Sequence, residues 1–367
     1  MTKKTVAFLL VISIVMMTLA GCGSSNATEN ESDITKVGFI YVGPVDDGGW
    51  TEVHDNGRAE MEAYFNGQVE TYTKENVSEE KSEVLATCDE MVDQGCSIIF
   101  ATSFGFMDGI LEAAEKYPDV KFEQASGYET TDNVGTYFGR MYEARYLAGI
   151  VAGMTTTSNE IAYVAAFPIS EVVREIDAFA LGVKSVNPSA TVNVSWTKTW
   201  YDPATEKAAA EALISQGCDI TAQTQDSTAT MEAAKEAGVL SIGYSLSAAE
   251  VMSEVYMTAP LFDFSQYYTE TVQSIIDGTW TNEQYWGHMS EGIVSLDALT
   301  DKVPNKAEVQ AEVDTATEAI NDGTLFVFSG EIKDQTGTIR VAADEQMSDE
   351  EMLTIDWFVN NISGTIE

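Results

Sequence analysis

Apolar positions along the chain fall into two rhythms that alternate from residue 36 onward. Short β-branched and aromatic runs of strand length occupy residues 37–42, 70–73, 97–102 and 121–125. Between them a helical spacing runs through Val53, Met61, Tyr64 and Phe65, then over 78–94 and 107–116. A second set follows, with strands at 161–166, 191–196, 220–223 and 240–243 and helices at 171–186, 204–216 and 228–237. Alternating strand and helix units specify parallel sheets covered by helices on both faces.

The two sets are also similar to each other, at an offset of roughly 120 residues as in other internal repeats. "KVGFIYVGPV" (36–45) aligns with "EIAYVAAFPI" (160–169), and "MVDQGCSIIFATSF" (91–104) with "LISQGCDITAQTQD" (213–226). "AAEKYPDVKFEQASGY" (113–128) aligns with "AAKEAGVLSIGYSLS" (233–247). Three matches in one order predict an α/β chain of two Rossmann-like, doubly wound lobes.

In open parallel sheets, ligands bind beyond the carboxyl ends of the strands. Lobe one then offers "GPVDDGGW" (43–50), "KENVSEE" (74–80), "SFGFMD" (103–108) and "SGYE" (126–129), and lobe two "FPISEVV" (167–173), "TWYDPA" (199–204), "TQDST" (224–228) and "YSLS" (244–247). The first has the glycines of a phosphate loop, but Asp46 and Asp47 repel phosphate and no Lys-Ser/Thr or GxGxxG follows. These segments carry flat aromatics beside amides and carboxylates, a combination suited to a planar, donor-rich ligand stacked between rings and read on its edges. The candidate ligand-binding residues are Trp50, Trp200, Asp226, Gln225, Ser103, Phe104, Asp47, Tyr201, Gly127 and Tyr244. The acids of the first segment have a second reading, as caps of the helix that follows.

Composition changes the picture in three places. The chain opens on a positive "MTKK", an apolar "TVAFLLVISIVMMTL" and then "LAGC", the pattern of a bacterial lipoprotein signal (1–21) with Cys22 as the lipidated residue. An uncleaved membrane helix is the alternative, and residues 22–35 read as a polar tether. The formal charge of −40 becomes −42 once Lys3 and Lys4 leave, an acidity that argues against nucleic-acid partners. Cys88, Cys96 and Cys218 lack metal-finger spacing and read as buried structural thiols. Catalysis has little support: the only histidines are His54 and His288, His54 reads as exposed or capping, and no GxSxG or HExxH occurs. No metal or cofactor is expected.

"KVGFIYVGPVDDGGWTEVHDNGR", "TSFGFMD", "PDVKFEQASGY", "YEARYLAGIVAG", "VNPSATVNVSWTKTWYDPATEKAAAEALISQG", "QTQDST" and "IIDGTW" resemble the basic membrane protein (BMP) family of substrate-binding lipoproteins, related to the purine nucleoside receptor. The resemblance is greatest to the branch associated with adenine. It implies the type I periplasmic binding fold, delivery of ligand to an ABC permease, and no enzymatic activity. The family's two stacking aromatics fall on Trp50 and Trp200. Its ribose-binding acid falls on Tyr244 or Ser245 and its base-binding lysine near Leu261 and Phe262, so the resemblance favours a bare nucleobase over a nucleoside.

Together the family pattern and the repeat predict hinge crossovers at 138–142, 259–262 and 286–293. They place lobe 1 at 36–139 plus 262–290 and lobe 2 at 140–261 plus 291–367, in a monomer that is open when empty and closes on ligand. A sugar-binding protein, a chemosensory partner and a nucleoside hydrolase are the alternative functions.

Overall fold

The structure is a computed structural model and describes residues 34–366. The first sheet is built from β1 (Thr35–Ile40), β2 (Val69–Lys74), β3 (Ile98–Ala101), β4 (Lys121–Ala125), β5 (Val134–Gly139) and β12 (Gln284–Gly287), in the order β12-β5-β4-β3-β1-β2. All its pairings are parallel, with Val37 beside Thr71 on one side and Ile98 on the other. Its helices are α1 (Trp50–Tyr64), α2 (Lys81–Asp93), α3 (Met107–Lys116) and, returning later in the chain, α8 (Ser265–Asp277).

The second sheet contains β6 (Glu160–Ala165), β7 (Thr191–Trp196), β8 (Ile220–Thr224), β9 (Leu240–Ile242), β10 (Tyr256–Thr258) and β16 (Ile362–Ser363), in the order β10-β9-β8-β6-β7-β16. Its helices are α4 (Met141–Thr155), α5 (Ser170–Val186), α6 (Pro203–Ser215), α7 (Ala229–Ala237) and α9 (Lys306–Asn321). The order β2-β1-β3-β4-β5 in the first lobe matches β7-β6-β8-β9-β10 in the second, so the repeat read from residues 36–128 and 160–247 is a repeat of structure. Each sheet adds one late strand at one edge, β12 beside β5 and β16 beside β7.

Three segments pass between the lobes. The first runs from β5 into α4. The others are β11 (Pro260–Phe262) and β13 (Val294–Leu296), an antiparallel pair. Gly139 lies where all three touch: a Cβ there would come within 2.3 Å of Val294 Cγ1 and 3.0 Å of Phe262 Cε1, so only glycine lets the crossovers pack this closely. Arg140 follows, donating to both carboxylate oxygens of Asp349 at 2.8 and 2.7 Å and so tying α10 (Asp349–Leu353) to the first crossover. The remaining strands β14 (Ile332–Lys333) and β15 (Ile339–Val341) form a small antiparallel pair.

α4 and α5 pack closely because Gly149 and Gly182 face the partner's backbone, and thirteen residues of α4 are buried. Cys88, Cys96 and Cys218 are buried free thiols, pushed up by that burial to about 12, 12 and 11. The lipidation site at Cys22, the signal and most of the tether lie outside the described residues. Among residues 34–366 no helix is long and apolar enough to cross a membrane.

Candidate ligand-binding cleft

The loop after β1 begins the site. Both carboxylate oxygens of Asp47 cap α1, accepting from the N–H groups of Gly49 and Thr51 at 2.8 Å each and of Glu52 at 3.1 Å. Asp47 therefore acts as a cap and does not line the cavity. The paired glycines meet the opposite lobe: a Cβ on Gly49 would lie 2.9 Å from the backbone oxygen of Asp226. The lobes are closed on each other here, and the glycine permits it.

Trp50 is the first residue of α1 and is only 7% exposed. Its Nε1–H donates to the Thr102 carbonyl at 2.6 Å, while Phe262, Phe264 and His54 stand edge-on to its ring with centroids 5.4, 5.9 and 4.3 Å away. His54 corrects the expectation of an exposed or capping residue. It is fully buried, stacked on Phe264 at 4.0 Å and bonded through Nδ1 to the Tyr268 hydroxyl, and burial pushes its pKa well below the usual histidine range. It braces Trp50 from behind.

Trp200 comes from the loop between β7 and α6. The two tryptophans are not repeat equivalents, since Trp50 follows the first strand of its lobe and Trp200 the second. They nevertheless line one narrow cavity together with Val42, Ser103, Phe104, Ser126, Glu171, Asp226 and Tyr244.

The polar groups of the cavity are acids and hydroxyls. Ser103 donates to Glu79 at 2.5 Å, which leaves its oxygen lone pairs for a ligand. Asp226 is 4% exposed and, among the described residues, its carboxyl has no hydrogen bond or ion pair. Burial raises its pKa well above the carboxylate range, and the charges of Asp47, Glu206, Glu79 and Glu171 push it further. The cation behind the cavity is committed elsewhere: Arg145 binds Glu175 at 2.9 Å, Gln223 O at 2.8 Å and Thr224 Oγ1 at 3.0 Å, while its guanidinium lies 4.1 Å from the centre of the Tyr244 ring.

Of the residues expected at the site, Trp50, Ser103, Phe104, Trp200, Asp226 and Tyr244 come together. Gln225 is buried beneath, its amide donating to Thr197 Oγ1 at 2.7 Å. Gly127 is packed against Thr136 and Gln124, and Tyr201 is 42% exposed at the surface. Ser126, Glu171 and Val42 line the cavity without having been singled out from sequence. Glu171 belongs to the quoted segment "FPISEVV", but a first-turn acid has an ordinary explanation in the helix dipole. Among the described residues no three His, Cys, Asp or Glu side chains gather as metal ligands.

Two doubly wound lobes closing on a small aromatic cavity are the architecture of type I periplasmic binding proteins. Solved structures with this fold include an ABC transporter solute-binding protein from Conexibacter woesei (TM-score 0.65, 22% identity, covering 80% of this chain and 98% of that one). Another, from Aeropyrum pernix, has a TM-score of 0.68 at 18% identity over 82% of this chain and 93% of that one. Residues 34–327 match the family model for PnrA-like ABC transporter substrate-binding proteins, and the chain belongs to that family. It is 37% identical to a protein named purine-binding protein from Brucella abortus, over 96% of this chain and 99% of the relative. It is 40% identical to a Haloferax volcanii protein provisionally named ABC transporter glucose-binding protein, over 82% of this chain and 76% of that one. Proteins of this class are extracytoplasmic and bind small molecules for a permease; they are not enzymes.

Proposed function

We propose that this protein captures a purine, adenine or a related nucleobase, and delivers it to an ABC permease while held to the outer face of the cell membrane by a lipid on Cys22. The observation that carries the reading is the cavity itself, where Trp50 and Trp200 from opposite lobes face a buried, unpartnered Asp226. Stacking on aromatic rings contributes about 1–3 kcal/mol per base. A carboxyl that accepts an amino N–H then selects among bases, because adenine offers that donor at N6 and hypoxanthine does not. Ser103 and Phe104 complete the wall. The absence of a cation free to meet a phosphate, among the described residues lining the cavity, favours an uncharged ligand over a nucleotide. Residues 36–139 with 262–290, and 140–261 with 291–367, serve as the two bodies that close on the ligand, and the protein acts as a monomer.

Mass spectrometry of ligand released from purified protein tests this directly. Calorimetry with adenine, guanine, hypoxanthine, nucleosides and glucose follows, and the expected order is adenine first. A glucose-binding role is the second reading, supported by the name of the Haloferax relative and by the fit of aromatic rings to pyranose faces. Binding of glucose without binding of any purine would overturn the first reading.

A further inference from the structure

Glu171 is the acid in the cavity that sequence did not single out. It stands in the first turn of α5, beside the same cavity as Asp226, and the Ser126 side chain is its polar neighbour across the cleft. Its charged neighbours are Glu175 and Arg174 on its own helix and Asp226 from the loop after β8. Neither nearby arginine pairs with it among the described residues. Arg145 is bound to Glu175, and Arg174 donates to the Met352 carbonyl at 2.9 Å with its guanidinium 4.8 Å from the centre of the Trp286 ring. Two carboxyls thus share one cavity without an ion pair among the described residues, although the charge of Arg174 on the same helix partly offsets that of Glu171.

Purine edges set a matching demand. On adenine each N–H has a ring nitrogen with a lone pair beside it, N6–H beside N1 or N7 and N9–H beside N3, so each such edge alternates donor and acceptor. An ionised carboxylate accepts only, and its second oxygen would face that lone pair; a neutral carboxyl has one O–H and one C=O and satisfies both.

We propose that Glu171 is a specificity-determining residue of this cleft, reading the ligand as a neutral carboxylic acid whose O–H donates to a ring nitrogen while its carbonyl oxygen accepts the adjacent N–H. The proposal rests on the purine reading above. It agrees with the direction in which the site moves this group: burial, then the charge of Glu175, raises it to about 7. The acid that must be neutral to bind is neutral below that value, so affinity is greatest in mildly acidic solution and falls as pH rises through it.

Calorimetry with adenine between pH 6 and pH 8 is the test, on the full mature chain and on Glu171→Gln and Glu171→Ala. Wild-type affinity is expected to weaken on the order of tenfold across that range, as linkage to one group of this kind requires. Glu171→Gln, whose amide also offers one N–H edge and one C=O, should bind adenine within about threefold of wild type at pH 6 and lose the pH dependence. Glu171→Ala should lose roughly tenfold at pH 6, about the worth of one buried hydrogen bond. Melting temperatures without ligand confirm that each variant folds. Adenine binding that is flat with pH, or Glu171→Gln as weak as Glu171→Ala, overturns the proposal and leaves the purine reading standing. Failure of every purine to bind wild type overturns both.

Discussion

Behind Trp50 the first lobe stacks rings: His54 on Phe264, Phe262 on Phe264 at 5.0 Å, Tyr268 edge-on to Phe39 at 5.1 Å. Behind Tyr244 the second lobe buries charge, with Arg145 and Glu175 both essentially inaccessible and paired at 2.9 Å. The same strand order thus supports two different floors beneath one cavity. An aromatic floor holds its plate by shape, so Trp50 is set before ligand arrives. Trp200 has Phe167 as its aromatic neighbour, at 5.2 Å, and is only partly buried. On the purine reading, the difference means that stacking is prepared on one side and completed on the other, and preorganisation of the first plate lowers the ordering cost of binding.

Breaking the ionic floor should have the largest effect. Arg145→Ala leaves Glu175 buried without its partner and is expected to cost about 3–5 kcal/mol of stability, whereas replacing both by Met should recover most of it. Urea denaturation of the three proteins measures this. Trp50→Ala and Trp200→Ala sharpen the contrast between the plates. Both should weaken adenine binding at least roughly tenfold, but only Trp50→Ala should also cost about 3–5 kcal/mol of folding stability, because it alone empties a packed core site. Equal losses of stability in the two variants would erase the distinction.

The aromatic lobe also buries the acid Glu123 and handles it without a cation. Glu123 accepts from Trp280 Nε1 at 2.7 Å and from the Tyr267 hydroxyl at 2.9 Å, and burial pushes its carboxyl up to about 7. The folded protein therefore holds this proton more tightly than the unfolded chain. Its contribution is fully present below the ordinary glutamate range and is lost as pH rises through about 7, a change on the order of 3 kcal/mol. Glu123→Gln should remove that decline, seen as melting temperatures that converge with wild type at pH 5 and exceed it at pH 8. The smallest effect concerns the caps. Asp47 serves three N–H groups of α1, whereas Asp202 accepts from one backbone N–H, that of Thr205 at 3.1 Å, at the start of α6. Asp47→Ala should cost up to about 2 kcal/mol and Asp202→Ala nearer 1, by thermal unfolding.

Periodicity and the repeat were enough to read the two lobes, because parallel strands buried on both faces leave uninterrupted apolar runs such as residues 161–166. The strand Val134–Gly139 is harder to see, since its two glycines break the run, and only its end falls within a predicted element, the crossover at 138–142. Helix α9 exposes most of its surface and buries only Val309, Val313, Ala316 and Ile320, too thin a stripe to stand out among acids. At the site, residues that face the cavity from strand ends were readable as types. Their roles depended on tertiary neighbours: His54 is polar in sequence yet sits in an aromatic cage, Asp47 spends itself on backbone, and Glu171 faces ligand space only because Ser126 arrives from the other lobe.

The two residues of β16 have a consequence out of proportion to their length. Ile362 and Ser363 pair with Val192 and Asn193, and nearby Trp196 donates to the Thr365 carbonyl at 2.7 Å. Without them the six-residue strand Thr191–Trp196 would be a bare sheet margin, the kind of surface on which other chains add as strands. The last strand thus covers the margin at Val192 and Asn193, where a strand from another chain would otherwise find unpaired backbone groups.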